Sequence, residues 1–284
     1  FASEKRSIKV VHKQSGDEWD FKTRTEFYGR SRAKDGGALA EINKSRDTPY
    51  TLDEFEILDI QTPEPIEFCL HSVKQKVESV NKILGVKNII GYHGVGDSFR
   101  LEASTILGYK KNRLGMLKPI HIDAVTEYLV KKYKSIPCET LEADDWCIIS
   151  AIGKKDHVVV THDKDVLGNA VFSFNPVKPE LGVQNGNCFG SLWLEVKTNT
   201  KGKAEKTVRG IGRMFFYWQL VAQDTVDNYA AHSASQVKWG ELSAYETLKD
   251  CKNDREALEA VVRVYKYLYP APTKVIGWRG DVLK

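Results

Sequence analysis

Apolar residues recur at Ile66, Leu70, Val73, Val77, Val80 and Leu84. Steps of four and three put them on one face of an α-helix. VKNIIGY (86–92) follows as a short apolar run and reads as a buried strand. A helix is predicted over about Asp123 to Lys134, and another from LEADD (141–145) through Ile148, Ile149 and Ile152. HVVVT (157–161) is β-branched and reads as a buried parallel strand. This alternation of helices and strands predicts an α/β fold: a twisted, mostly parallel central sheet with flanking helices. Residues 1–50 are polar and basic and read as irregular or weakly stranded. Prolines and glycines punctuate a loop from 175, and SLWLEVK (191–197) and KTVRG (206–210) then flank TNTKGK as a β-hairpin. Beyond Arg213 the pattern is helical to Tyr269. An α/β domain over 1–212, with the loop and hairpin of about 175–210 inserted, and a helical subdomain over 213–284 are expected.

Acids interrupt this pattern where bare charge is least expected, in or beside apolar runs. They are Glu142, Asp144 and Asp145 in LEADD, Asp163 and Asp165 in THDKD, and Asp224 and Asp227 in QDTVDN. Crowded like charges raise one another's pKa, and a cation between them relieves the repulsion. Oxygen-only donors point to Mg²⁺, Mn²⁺ or Ca²⁺ rather than zinc. Each motif also has a simpler reading: LEADD as a solvated first helical turn, THDKD as a turn after a strand, QDTVDN as solvated acids at a helix end. The last is disfavoured by the helix dipole. Asp163 and Asp165 follow the strand HVVVT, at the end where α/β sheets bind ligands, and LEADD lies at a helix start, so the two motifs can face one site.

Composition narrows the chemistry. The chain has 284 residues, 42% hydrophobic and 28% charged, with a formal net charge of +4, ordinary for a globular protein. No run approaches the ~18 apolar residues of a membrane span, and no secretory signal is visible. The first residue is Phe, so a start inside a longer product, or after processing, is expected. The 5 cysteines form no C-x-x-C pair, as in a reduced cytosolic protein without a disulfide framework or zinc site. The 7 histidines show no H-E-x-x-H spacing, and phosphate-loop and G-x-S-x-G motifs are absent. His162 reads as a turn residue, and Tyr217, Trp218, Tyr265 and Tyr267 as core. Basic residues gather at Lys110, Lys111, Arg113 and Lys118, then at Lys131, Lys132 and Lys134. GYKKNR (108–113) is either a solvated basic loop or, beside acids, a phosphate clamp with Lys110 as point charge and Arg113 as fork.

Taken in order, these motifs resemble the 5′→3′ exonuclease and flap endonuclease family, with its PIN-like nuclease fold, in its tailed-bacteriophage branch. The resemblance runs from about Asn88 to Tyr269. FRLE (99–102) and YKKNR (109–113) resemble the family's Phe-Arg segment and basic Tyr-Lys-x-Asn-Arg; LEADD resembles Glu-x-Asp-Asp, THDKD the Asp-x-Asp after a strand, and QDTVDN the Gly-Asp-x-x-Asp-Asn with Gln223 for Gly. It implies metal-dependent hydrolysis of DNA, or of RNA in hybrids, from or near a 5′ end. Glu142, Asp144, Asp145, Asp163 and Asp165 would hold or organise two Mg²⁺ or Mn²⁺ ions, and Asp224 and Asp227 would complete a second, looser ion environment. Lys110 and Arg113 would bind the scissile phosphate, with Arg100 and Lys111 as further DNA contacts. VKWGELSAY (237–245) stands where the family has a helix–three-turn–helix: Gly240, Ser243, Ala244 and Tyr245 fit, Leu242 replaces the usual Lys, and Lys238 is the alternative contact.

The chain also departs from the family. No first strand ending in Asp is evident near Phe1, and His93, with Asp97 nearby, stands about where a second family Asp belongs. The segment from Arg113 to Pro119 is short for a threading arch, which favours exonuclease-like action. A monomer in the cytoplasm, that of a bacterial host if phage-encoded, is the implied setting. A nuclease fold that only binds nucleic acid is the alternative, and a calcium-stabilised structural protein a further one; the latter predicts stabilisation by Ca²⁺ and no salt-sensitive DNA affinity.

Overall fold

The computed structural model describes residues 3–29, 36–104, 107–198, 202–270, 275–276 and 282–283. It is a mixed α/β protein with small sheets. Its chain forms two compact units, each built from two stretches: 1–89 with 115–133, and 90–114 with 134–284. The expected boundary near residue 212 lies inside the second.

In the first unit β1 (Glu4–His12) is the centre of an antiparallel sheet, between β2 (Glu18–Phe21) and β3 (Phe55–Pro63). Ile8 and Val10 alternate inward along β1 and meet Phe55 and the fully buried Phe27 of α1 (Arg24–Tyr28). Thr23 caps α1 by accepting the Glu26 N–H at 3.2 Å. This sharpens the expectation of irregular or weakly stranded structure over 1–50: the described residues there hold two strands of a folded sheet, with α1 and α2 (Ala38–Asn43). It also places a strand near the start of the chain, ending in His12 rather than Asp. The helix α3 (Ile66–Leu84) forms over the span its apolar steps predict and ends at Gly85, which takes the left-handed conformation (φ 63°) that favours glycine. Its neighbour α5 (Ile122–Tyr133) also falls where expected.

The second unit holds two small parallel pairings. β4 (Tyr92–Ser98) runs parallel to β5 (Ile136–Thr140), and β6 (Val158–Val160) runs parallel to β7 (Phe172–Phe174), whose other edge pairs antiparallel with β8 (Val183–Asn185). Among the described residues these remain separate small sheets, and one twisted parallel central sheet is not shown. The strand expected at 86–92 begins only at Tyr92; Val86, Ile89 and Ile90 are exposed. Between β4 and β5 come the short α4 (Arg100–Ala103) and a 3-10 turn, Lys111–Arg113. The helix α6 (Ala143–Ala151) packs on β4, β5 and β6. The hairpin of β9 (Ser191–Thr198) and β10 (Ala204–Ile211) forms as predicted. It turns Leu192 and Val208 into a core shared with α7 (Arg213–Val221), α8 (Glu241–Leu248) and α9 (Asp254–Leu268). Trp218 is buried there, whereas Tyr267 is exposed, against the core role expected of it. Among the described residues no helix is long and apolar enough to cross a membrane.

Candidate acidic and phosphate-binding site

All seven acids and the GYKKNR cations belong to the second unit. LEADD sits where β5 hands over to α6. The Glu142 N–H donates to Asp145 Oδ2 at 3.0 Å, which caps the first turn of α6. Asp163 opens a 3-10 turn, Lys164–Gly168, by accepting the Asp165 N–H at 3.0 Å. The turn leans on α7 at Gly168, where an added Cβ would lie 3.0 Å from Gln219 Oε1 and 3.2 Å from the Phe216 Cα. Asp224 lies beyond the end of α7, and its Oδ1 accepts the N–H groups of Val226 at 2.8 Å and Asp227 at 3.3 Å. QDTVDN is therefore a closed turn rather than a helix end. The loop before it is tied in at three points: Lys110 N–H donates to the Asp227 carbonyl at 3.3 Å, Asn112 Nδ2 to the Thr225 carbonyl at 2.7 Å, and Asn228 Nδ2 to the Gly108 carbonyl at 2.9 Å. Lys110 itself takes a left-handed backbone conformation, φ 50°.

Cations alternate with the acids. Arg100 grips Asp145 with two parallel bonds of 2.6 and 2.7 Å and stands 3.6 Å from Glu142. Glu142 also accepts from Tyr109 Oη and from Lys110 Nζ, each at 2.7 Å. Lys110 and Arg113 stand 3.9 and 3.5 Å from Asp227. Lys164 lies 3.1 Å from Asp224, and Gln219 of α7 donates to Asp165 at 2.5 Å.

These partners divide the acids electrostatically. Burial raises the Asp145 pKa, but Arg100 overcomes it and holds that carboxyl below the ordinary range. Asp224 is likewise lowered, with burial outweighed by Lys164 and the turn N–H groups. Asp165 has no such clamp: burial first, then Asp163, pushes it to about 6, and Asp224 and Asp227 add to this. Asp144 is raised by lost hydration and then by Asp145 and Glu142, and Asp227 by burial and then by Asp224 and Glu142 against Lys110 and Arg113. Through these couplings the acids of all three motifs act on one another.

The donor chemistry, carboxylate oxygen throughout, fits a hard divalent cation. Their placement does not complete the fit: among the described residues no three His, Cys, Asp or Glu side chains gather as a ligand set. Glu142, Asp145, Asp224 and Asp227 face ammonium or guanidinium groups instead. Arg100, expected as a DNA contact, is the partner of Asp145. Lys111 is exposed. Gly240 is the N-cap of α8, with Ser243 exposed in its first turns and Lys238 exposed just before it. His93 bonds to Ser135 Oγ at 3.0 Å, and Asp97 is exposed. Lys164, Tyr109 and Gln219 were not singled out from sequence. The first two lie inside THDKD and YKKNR, which is the signal that could have found them; Gln219 stands out only as the polar residue inside MFFYWQLVA.

No family model, curated protein or solved structure matches this chain.

Proposed function

We propose that the chain is a divalent-metal-dependent 5′ nuclease that hydrolyses phosphodiesters of DNA, or of RNA in hybrids, from or near a 5′ end. One observation carries this reading. Acids from three separate segments, with Lys110 and Arg113 interleaved, form one coupled network inside one compact unit. Solvated acidic turns, the simpler reading, give no reason for such convergence.

Glu142, Asp144, Asp145, Asp163 and Asp165 would hold Mg²⁺ or Mn²⁺, with Asp224 and Asp227 serving a second ion. When bound, such ions polarise a phosphoryl oxygen and lower the pKa of a bound water. Lys110 and Arg113, now turned to Glu142 and Asp227, bind the scissile phosphate and offset its charge. Arg100 fixes Asp145, and Tyr109 helps orient Glu142. Lys111, Lys238, Ser243 and the α8 N-terminus at Gly240 contact the nucleic-acid backbone, which positions the substrate without reading its sequence. The parallel pairs β4–β5 and β6–β7 are consistent with a PIN-like core built on a continuous parallel sheet. The enzyme acts as a cytoplasmic monomer.

The test is single-turnover cleavage of a 5′-labelled duplex with Mg²⁺. Asp165→Asn should lose orders of magnitude in rate while DNA affinity is retained; near-normal cleavage would refute the assignment. The unassembled ligand set favours a second reading, a nuclease-like fold that only binds nucleic acid. That reading gains if the wild-type chain binds DNA with steep salt dependence yet cleaves nothing at any Mg²⁺ or Mn²⁺ concentration.

A further inference from the structure

Two segments far apart in the chain, 108–113 and 224–228, are laced together in the second unit. Asn228 Nδ2 donates to the Gly108 carbonyl at 2.9 Å, and Asn112 Nδ2 to the Thr225 carbonyl at 2.7 Å, one tie on each side of Lys110. Between the ties the Lys110 N–H donates to the Asp227 carbonyl at 3.3 Å. The receiving turn is itself closed, because Asp224 accepts the N–H groups of Val226 and Asp227. The lacing holds backbone where side chains with a Cβ rarely stay: φ is 50° at Lys110 and 59° at Asn228. Asn tolerates that region through its short polar side chain. Lys has no such help, so Lys110 keeps the conformation only while its surroundings over-determine it.

We infer that Asn228 and Asn112 are positioning residues: their amides fasten the basic loop to the 224–228 turn and so set where Lys110 and Arg113 meet a nucleic-acid phosphate. The inference rests on the nuclease reading and deepens it. Both ties are neutral. A tie made by an ion pair would occupy one of the cations, whereas an amide on a carbonyl fixes the loop and leaves its charges in place. Arg113 stands 3.5 Å from Asp227 with its side chain 42% exposed, so much of its fork lies in solvent. Lys111 is exposed beside it. A phosphate is bound best by cations that need not be ordered when it arrives, because side chains and loops immobilised on binding cost affinity. The asparagines bear that ordering in advance, and they do so from the backbone, without touching the cationic groups.

The experiment is binding of a 5′-labelled DNA duplex to the full chain, followed by fluorescence anisotropy in chelator over a range of salt. Each lost phosphate contact flattens the fall of log K with log salt by about 0.9. Asn228→Gly removes the tie and leaves the left-handed backbone accessible. It should weaken binding and flatten that slope by about one to two, although no charge has been removed. A merely structural role in a folded protein leaves the slope unchanged. Asn112→Ala, at an exposed side chain, should act in the same direction, and it carries the test if thermal melts show that Asn228→Gly does not fold. With Lys110→Ala and Arg113→Ala already in place, neither substitution should flatten the slope further. If wild type binds DNA and cleaves it with Mg²⁺, but both asparagine variants keep its affinity and slope, the positioning role is overturned and the nuclease reading stands. If the loss persists without Lys110 and Arg113, the asparagines touch DNA themselves and the inference fails. If wild type shows no salt-dependent affinity for DNA, both fall.

Discussion

Arg24 and Asp59 of the first unit meet at 2.7 Å with side chains 43% and 40% exposed; Arg100 and Asp145 of the second meet at 2.6 Å with side chains 31% and 20% exposed. The pairs are chemically alike. The first lies outside a sheet whose stability comes from Ile8, Val10, Phe27 and Phe55, so water and salt screen most of its attraction. The second lies inside a chain of acids. Losing Arg100 would strand Asp145 beside Asp144 and Glu142. An ion pair's worth thus depends on what else its removal exposes. In the first unit apolar packing supplies the strength, whereas in the second a polar network shares the task with the packed helices.

If that contrast holds, the largest loss in the first unit comes from apolar truncation. Phe27 is fully buried, with its ring 5.1 Å from that of Phe55 and 5.3 Å from that of Phe21. Phe27→Ala should cost about 3–5 kcal/mol, measured by urea unfolding. Next comes Arg100→Ala, at about 2–3 kcal/mol in the second unit, smaller than for a fully buried pair because both side chains keep some water. A cost below about 0.5 kcal/mol would put the pair on the same footing as Arg24–Asp59 and break the comparison.

A smaller effect has the opposite sign. Burial pushes the folded pKa of Asp165 up to about 6 from the ordinary 3.8. Above pH 6 the folded protein carries this carboxylate ionised among other acids, at a cost. Between pH 6 and about 4 the folded state binds the proton and the unfolded state does not, so the cost shrinks. Below about 4 both states are protonated and it vanishes. Asp165→Asn should therefore raise Tm near pH 7.5 in chelator, and the gain should fade as pH is lowered through 6 towards 4. A gain independent of pH would mean that packing, not charge, is responsible. Smallest is Arg24→Ala, below about 1 kcal/mol and smaller still in high salt, by the same unfolding assay. A cost near that of Arg100→Ala would erase the difference between the units.

The sequence made α3, α5, α6 and the β9–β10 hairpin legible because each announces itself within a few turns of chain. It hid the first sheet. The register of β1 is set by β3, with His12 opposite Phe55 and Glu4 opposite Pro63, and nothing local reports a pairing made over so long a loop. The apolar run VKNIIGY misled for the converse reason: its isoleucines stay exposed, while the strand beside it, YHGVGDS, carries two glycines and little apolar surface. The motifs were readable as acids in an apolar setting. Their cations were less so, because the pairing of Lys164 with Asp224 depends on two turns meeting at the end of α7.

The first unit is written in two instalments, 1–89 and 115–133, with part of the second unit between them. During synthesis its three-stranded sheet and α3 can form as soon as they emerge, but α5, the neighbour of α3, is still to come. Residues 90–114 emerge meanwhile without β5, the strand that pairs with β4. At translation speeds of about 5–20 residues per second, an apolar α3 face and an unpaired strand edge stay open together for seconds. Rare codons near residue 100 should lengthen that interval and lower the yield of active protein, and a chaperone that shields exposed apolar surface should restore it.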